Sequence, residues 1–347
     1  MPARWNDGRV RALIITEHGP PDVMRVQERP DPEPGSGEVR VRVRAAGVNF
    51  ADLLARVGLY PEAPKPPCVV GYEIAGDVDA VGDGVEGFEV GQRVMGGSRF
   101  GGYAQLAVTG SEALIPIPDG WSYSEAAALP VAYATAYAGL IRFGGLRAGE
   151  RVLIQAAGGG VGIAATQVAK LAGAEVWGTA SPPKHEAIRG FGVDQPVDYR
   201  THDVVDEVRR IAGEEQPFDL AFDALGGRSF RQSFALLRPG GRLVCFGASE
   251  MQAGERRSPL RAMRILAQMP RFNPIKLMRE SKSVIGLNML TLWDAGGIEG
   301  FIEPLRKWLD EGRIRPVVAK EFRLDDGPEA HRFVHERKNI GKVVLTL

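Results

Sequence analysis

The stretch Gln155-Ala156-Ala157-Gly158-Gly159-Gly160-Val161-Gly162 constrains this chain more than any other. It follows an apolar strand, Arg151–Ala156, and opens an apolar helix, Val161–Ala172. Glycines at such a junction allow a tight turn, bring backbone close to a pyrophosphate, and let helix and strand pack closely. The amides and positive end of the helix attract phosphate. In the usual register Ala157 takes the first glycine position, and Gly159 and Gly162 take the other two. Gly158, Gly160 and Val161 complete the expected dinucleotide contact surface. The competing reading is a purely structural turn.

The flanking pattern supports the first reading. Strands and helices alternate beyond this point: Glu175–Thr179 strand, Lys184–Phe191 helix, Pro196–Tyr199 strand, Val204–Ile211 helix, Phe218–Ala224 strand, Ser229–Leu237 helix, Arg242–Gly247 strand. Such alternation predicts a parallel sheet covered on both faces. Residues 11 to about 130 read differently. Val39–Ala45 alternates apolar and basic residues, the period of a half-buried strand. Short strands around Ile74–Val78, Val94 and Tyr103–Val108, punctuated by glycines, suggest a barrel or sandwich. Ser124 is the expected cap of a helix running to Ile141, bent at Pro130. Residues 284–290 read as a last strand, Ile298–Leu309 as an amphipathic helix, and Lys342–Leu347 as a strand returning to the first domain.

With 347 residues the chain is long enough for two domains. Lys+Arg (43) balance Asp+Glu (43), so no whole-chain field points to nucleic acid. A small-molecule partner is the expectation. The N-terminus, Met1 to Arg11, lacks an apolar signal core, and no run of about 18 uninterrupted apolar residues occurs. No membrane span and a cytoplasmic location follow as expectations. The two cysteines, Cys68 and Cys245, sit in separate apolar runs and read as buried thiols. Neither a disulfide framework nor a four-cysteine zinc lobe is available.

The end of the second strand bears on the choice of nucleotide. NAD-selective sites usually place Asp or Glu there. This chain has Gly178-Thr179-Ala180-Ser181-Pro182-Pro183-Lys184, with hydroxyls and a cation but no acid. Lys184 attracts a 2′-phosphate that a carboxylate would repel, which favours NADPH. A solvated first-turn lysine is the bland alternative. Tyr199 reads equally as a stacking partner or as a half-buried strand-end tyrosine.

Several further stretches carry a family resemblance: Ala46-Gly47-Val48-Asn49-Phe50-Ala51-Asp52-Leu53 with Gly58-Leu59-Tyr60; Gly71-Tyr72-Glu73-Ile74-Ala75-Gly76 with Ala80-Val81-Gly82; Ala126–Pro130 with Thr135-Ala136-Tyr137; Ala156–Gly162; Gly178–His185; Asp198-Tyr199; and Asn339–Leu345. In order and spanning nearly the whole chain, they resemble the quinone oxidoreductases of the medium-chain dehydrogenase/reductase superfamily, and within these the vesicle amine transport protein homologues. The resemblance implies an α/β chain: a GroES-like β domain built from both chain ends, and an inserted Rossmann domain with a doubly wound parallel sheet. The expected divisions are 1–130, 131–288 and 289–347. It also implies nicotinamide in the cleft between domains, near Asn49, Phe50, Asp52, Tyr60, Thr135, Phe246, Gly247 and Leu287. Ser181, Lys184 and Tyr199 would hold the 2′-phosphate end. Three of these have structural alternatives: Asp52 as a turn brace, Thr135 as helix packing, Phe246 as core.

The related alcohol dehydrogenases carry a zinc-binding cysteine after Gly-Val and a later Gly-His-Glu. Here those positions read Gly47-Val48-Asn49 and Gly71-Tyr72-Glu73. A carboxamide and a phenol suit zinc poorly. The five histidines form no ligand cluster in sequence and read as surface residues. No metal is therefore expected. Without a Lewis acid, a quinone or α,β-unsaturated carbonyl is the easier hydride acceptor, with Asn49 or Tyr60 donating a hydrogen bond to the developing oxyanion. An enoyl-thioester reductase, or a weakly catalytic NADPH-binding protein acting through a membrane or another protein, stand as alternatives. Residues 256–282 are basic and apolar together, compatible with a packed amphipathic helix, a lid, or peripheral membrane contact. A homodimer joined through the strand at 284–290 is expected from the family and from the need to cover an edge.

Overall fold

The computed structural model describes residues 8–251, 255, 258–296 and 299–347. Arg256, Arg257 and Ile298, which belong to two of the segments read above, lie outside the described residues. The chain divides into two compact units. The first holds the chain up to Val131, Glu255, and the return segment from Arg315 to Leu347; the second runs from Ala132 and ends at Ile314.

The first unit opens with strands β1 (Arg9–Ile15), β2 (Met24–Pro30) and β3 (Glu38–Val48). Val39, Val41 and Val43 are buried, while the arginines between them face out and pair across the sheet. Arg40 meets Asp79 at 2.8 Å and Arg44 meets Asp77 at 2.8 Å. The alternation read from sequence is thus an inward apolar row and an outward charged row. Helix α1 (Phe50–Arg56) follows, then β4 (Cys68–Val69), β5 (Glu73–Val81), β6 (Arg93–Gly97), β7 (Leu106–Gly110) and β8 (Leu114–Pro116).

Helix α2 (Tyr123–Ala127) is capped by Ser122, not Ser124. The Ser122 hydroxyl accepts from the Glu125 N–H at 3.1 Å and the Glu125 carboxylate reaches back, which only the Ser-x-x-Glu spacing permits. Helix α3 (Pro130–Tyr137) continues the chain into the second unit. Among the described residues, the run Tyr123–Phe143 is long and apolar enough to cross a membrane, but 61% of it is buried within the protein. Burial by the chain itself is the physical account of its apolar composition.

The second unit contains β9 (Arg151–Ile154), α4 (Gly160–Leu171), β10 (Glu175–Ala180), α5 (His185–Gly190), β11 (Gln195–Asp198), α6 (Val204–Ala212), β12 (Phe218–Asp223), α7 (Arg228–Ala235), β13 (Leu237–Cys245), α8 (Pro259–Gln268), α9 (Pro274–Glu280), β14 (Ser283–Gly286), α10 (Met289–Asp294) and α11 (Glu299–Asp310). The sheet is parallel, in the order β11-β10-β9-β12-β13-β14. That is the doubly wound arrangement, reversing direction at β9, where ligands bind beyond the carboxyl ends of the strands.

Two sequence expectations change here. The strand read at 284–290 stops at Gly286, because the Asn288 side chain accepts from the Leu290 and Thr291 N–H groups and starts α10. The second unit does not end at residue 288 either. Phe301 of α11 lies 6.3 Å from the Tyr137 ring and 6.4 Å from Phe143, and Trp308 lies 5.7 Å from Tyr137. These aromatic contacts tie α11 to this unit, so the return begins at Arg315.

The return segment supplies β15 (Val318–Arg323), α12 (Gly327–His335) and β16 (Lys342–Thr346). Strand β16 pairs antiparallel with β3, giving the larger sheet the order β15-β16-β3-β5-β6-β8. The return segment therefore shares one sheet with β3, while β1 and β2 form a separate sheet with β4. One histidine departs from its expected surface position. His331 on α12 is fully buried against Tyr103, ring centroids 6.1 Å apart, and burial lowers its pKa well below the ordinary value. Cys68 is buried and Cys245 half-buried; both are free, and burial pushes the Cys245 thiol up to about 12.

Candidate functional site

In the second unit the glycine turn joins β9 to α4. Val152, Leu153 and Ile154 are fully buried, which fixes the strand, and the chain then reverses through Ala156 at φ +55°. A non-glycine residue in the left-handed region is strained and persists only where neighbours hold it. The Ala156 N–H donates to Thr179 Oγ1 at 3.0 Å, and the Ala157 N–H to the Thr179 carbonyl at 3.0 Å. Thr179 Oγ1 donates to Gln155 Oε1 at 2.8 Å, and Gln155 Nε2 donates to Ser233 Oγ at 3.1 Å. Ser233 and Ser229 each donate to Asp223 Oδ2 at 2.7 Å. Burial raises the Asp223 carboxyl, while the hydroxyl and amide donors oppose that rise. Every donor in the chain Ala156–Thr179–Gln155–Ser233–Asp223 points the same way, so the carboxyl ends of β9, β10 and β12 are cross-tied.

This network includes one residue expected at the nucleotide. Thr179 is only 1% exposed and its hydroxyl bonds within the protein, so it shapes the turn. Gln155 and Asp223 were missed as its partners. An acid ending the apolar run Phe218–Asp223 was the available signal.

The glycines answer to distinct demands. A Cβ on Gly162 would fall 2.4 Å from the Ala156 carbonyl oxygen, so only glycine allows α4 to pack on the turn. A Cβ on Gly158 would lie 3.2 Å from Lys184 Cδ and 4.0 Å from Nζ, so the Lys184 side chain folds back over the turn. Among the described residues no side chain caps α4, whose N-cap is Gly159, and its first amides suit an anion. A glycine cradle, uncapped amides and an adjacent lysine fit a dinucleotide.

The other expected residues of this unit are placed as follows. Ser181 is buried and follows β10. Tyr199 is half-buried against the core that includes Trp177 and Val197. Phe246 and Gly247 follow β13, and Phe246 stacks on Phe222 at 3.9 Å. Leu287 follows β14 and its N–H donates to the Cys245 carbonyl at 2.9 Å. These stand at the carboxyl ends of their strands, the same edge as the glycine turn. Thr135 is buried on α3.

In the first unit three adjacent strands, β16, β3 and β5, bring Lys342, Asn49 and Glu73 together. The Lys342 ammonium lies 2.5 Å from Glu73 Oε1 and donates to Asn49 Oδ1 at 2.6 Å. Asn49 Nδ2 donates to Glu73 Oε1 at 2.9 Å, and Glu73 Oε2 accepts from the Val131 N–H at 2.8 Å. Glu73 is 0%, Lys342 4% and Asn49 7% exposed. A Cβ at Gly47 would sit 2.3 Å from Glu73 Oε1, so that glycine makes room for the carboxylate. Glu73 and Lys342 were not named as site residues; the motifs containing them were the available signal.

Asp52 is a second expected residue with internal partners. It is fully buried and accepts from the Asn49 N–H at 2.8 Å, the Gly71 N–H at 3.1 Å and the Tyr103 hydroxyl at 2.8 Å. Burial raises its pKa to about 7 against these donors. With its acceptors engaged it braces the start of α1, the structural alternative read from sequence. Phe50 and Tyr60 pack at the edge of the core. The Tyr60 and Tyr72 rings meet edge to face at 6.2 Å, and Phe100 lies 5.3 Å beyond Tyr72. Burial pushes the Tyr60 phenol up to about 12, and raises Tyr72 further, so both hold their protons as donors.

Comparison with known proteins agrees with this arrangement. Residues 35–119 match the alcohol dehydrogenase GroES-like domain and residues 191–345 the family described as zinc-binding dehydrogenase. The synaptic vesicle membrane protein VAT-1 homolog of Danio rerio is 39% identical over 97% of this chain and 70% of its own length. The CurK enoyl reductase structure superposes with a TM-score of 0.84 at 30% identity, covering 98% of this chain and 99% of that one. The quinone oxidoreductase of Pseudomonas syringae pv. Tomato DC3000 gives a TM-score of 0.83 at 29% identity, covering 97% and 100%. The fold and the glycine turn define a medium-chain dehydrogenase/reductase, a class of nicotinamide-dependent oxidoreductases; within it this chain belongs with the VAT-1 homologues.

Proposed function

We propose that this chain is a zinc-independent reductase that uses NADPH to deliver hydride to a quinone or an α,β-unsaturated carbonyl compound. The observation that carries this reading is the Lys342 ammonium bonded to both Asn49 and Glu73. Zinc needs the lone pairs of its ligands. Asn49 Oδ1 accepts from the ammonium, Glu73 accepts from the ammonium, Asn49 Nδ2 and the Val131 N–H, and Tyr72 holds its proton. The donor set does not fit the metal named in the matched family's description.

The dinucleotide, when bound, supplies the hydride. The turn amides from Gly158 to Gly162 hold its pyrophosphate, and Ser181 and Lys184 favour a 2′-phosphate. Tyr199 borders that end, while Phe246, Gly247 and Leu287, at the carboxyl ends of β13 and β14, are the second unit's candidates for the nicotinamide end, with Thr135 of α3; Phe50 is the first unit's candidate. Asn49 and Tyr60 are the hydrogen-bond donors to the substrate oxygen. Lys184→Ala is expected to weaken NADPH binding about tenfold or more and leave NADH unchanged. Steady-state kinetics with both nucleotides measure this, and an equal loss for both would remove the 2′-phosphate assignment. Turnover of purified protein with a panel of quinones, enones and acyl thioesters tests the reaction itself. Preference for thioesters would favour the enoyl-reductase reading, which the likeness to CurK supports.

The exposed edge strand β14 supports a homodimer, and the free thiols suit a cytoplasmic setting. A second reading rests on α8 and α9. Leu260, Met263, Leu266, Ile275 and Met278 are 54–77% exposed, with Arg261, Arg264, Lys276 and Arg279 exposed among them. Exposed apolar and basic side chains on amphipathic helices favour anionic lipid. Flotation with phosphatidylserine-containing vesicles is expected to retain the protein, and Met263→Glu with Met278→Glu to release it. Equal flotation of the variant, or none by the wild type, would reject a lipid role.

A further inference from the structure

The buried trio of Lys342, Asn49 and Glu73 carries one step beyond the proposed reaction, and rests on Asn49 being a donor to the substrate. An ammonium only donates and a carboxylate only accepts. Between them the Asn49 carboxamide has a single orientation: Oδ1 toward Lys342 at 2.6 Å and Nδ2 toward Glu73 at 2.9 Å. One Nδ2 hydrogen is used on Glu73, and among the described residues the second meets no acceptor. The trio is nearly water-free, so the ammonium's charge acts on the amide at low dielectric. A cation bonded to a carboxamide oxygen draws electron density from its nitrogen and strengthens the remaining N–H as a donor.

We infer that Lys342 is a positioning residue whose ammonium locks and polarises the Asn49 amide, making its free Nδ2–H the electrophile that receives the developing oxyanion. As hydride bonds to the β-carbon of an enone, the C=C π pair moves to join the α-carbon to the carbonyl carbon, the C=O π pair passes to oxygen, and the Asn49 N–H meets the enolate charge. The nucleotide leaves oxidised by two electrons, and solvent supplies the proton that completes the product. Lys342 keeps its own proton throughout. The same cation that excludes a metal thereby takes over, at one remove, the metal's electrophilic task.

The test uses the whole chain and two variants. Lys342→Met alone leaves Glu73 charged and buried, so Lys342→Met with Glu73→Gln is made beside it, keeping the trio neutral. Single-turnover hydride transfer is followed with an enone and with an electron-poor quinone. In the double variant the enone rate is expected to fall at least about 30-fold. The quinone, whose own ring absorbs the charge, should fall several-fold less, with the NADPH dissociation constant unchanged. Lys342→Arg, which keeps a charged donor, should recover part of the enone rate. Equal losses on both acceptors, or no loss, would overturn the inference. A wild type that reduces neither acceptor would instead count against the proposed function, and the two failures are thus told apart.

Discussion

Asp52→Ala is expected to cost the first unit about 3–6 kcal/mol, because it strands three buried donors at roughly 1–3 kcal/mol each less whatever the site recovers by relaxing. Those donors are the N–H groups of Asn49 and Gly71 and the Tyr103 hydroxyl. Such a loss is a large share of the stability of an ordinary domain. The effect should also depend on pH. The folded-state pKa of Asp52 is raised to about 7 from 3.8, chiefly by burial. Between those values the folded protein binds more protons than the unfolded one, so this group's contribution is full below about pH 4 and is lost as pH rises through 7. The melting-temperature deficit of the variant should be larger at pH 5 than at pH 8. Comparison with the wild type at each pH cancels the opposite dependence of His331, whose depressed pKa lowers stability as pH falls below about 6.5. A deficit greater at pH 8 would mean that the carboxylate, not the neutral acid, is the form the fold prefers.

Gly162→Val is expected to abolish dinucleotide binding, with a rise in dissociation constant of about 100-fold or more for NADPH and NADH alike. The first added carbon already falls 2.4 Å from the Ala156 carbonyl oxygen and 2.7 Å from backbone atoms of Ala157. Backbone cannot step aside as a flexible side chain can, so α4 must move off the turn. The network holding Ala156 in its left-handed conformation then loses its geometry. Fluorescence titration measures the affinity, and a thermal melt reports whether the unit remains folded. Binding within about threefold of wild type would show that the close approach of α4 is not needed.

Where sequence reasoning succeeded, the information was local. The period-two row Val39–Ala45 became the long strand β3, and the strand–glycine–helix junction became the turn between β9 and α4. Where it erred, a local competitor was overlooked or a distant partner was invisible. Asn288 ended a strand early by capping a helix, and Ser122 outcompeted Ser124 because only Ser122 has Glu125 three residues on. Asp52 and Thr179 sit in the motifs where cofactor residues were sought. Their carboxyl and hydroxyl groups turn inward because the Gly71 N–H and the Tyr103 hydroxyl donate to Asp52, and Gln155 Oε1 accepts from Thr179, all from positions distant in the chain.

The sequence by itself determined the doubly wound unit, the glycine turn and the presence of Asn49 and Tyr72 in the Gly-Val-Asn and Gly-Tyr-Glu motifs, since each is written in adjacent residues and their spacing. Only the tertiary structure decided what Asn49 meets. Lys342 and Asn49 are separated by 293 positions and meet because β16 pairs beside β3. A side chain's charge can be read from its name, but whether that charge is buried against a carboxylate or spread into water depends on which strands become neighbours, and long-range pairing alone settles that.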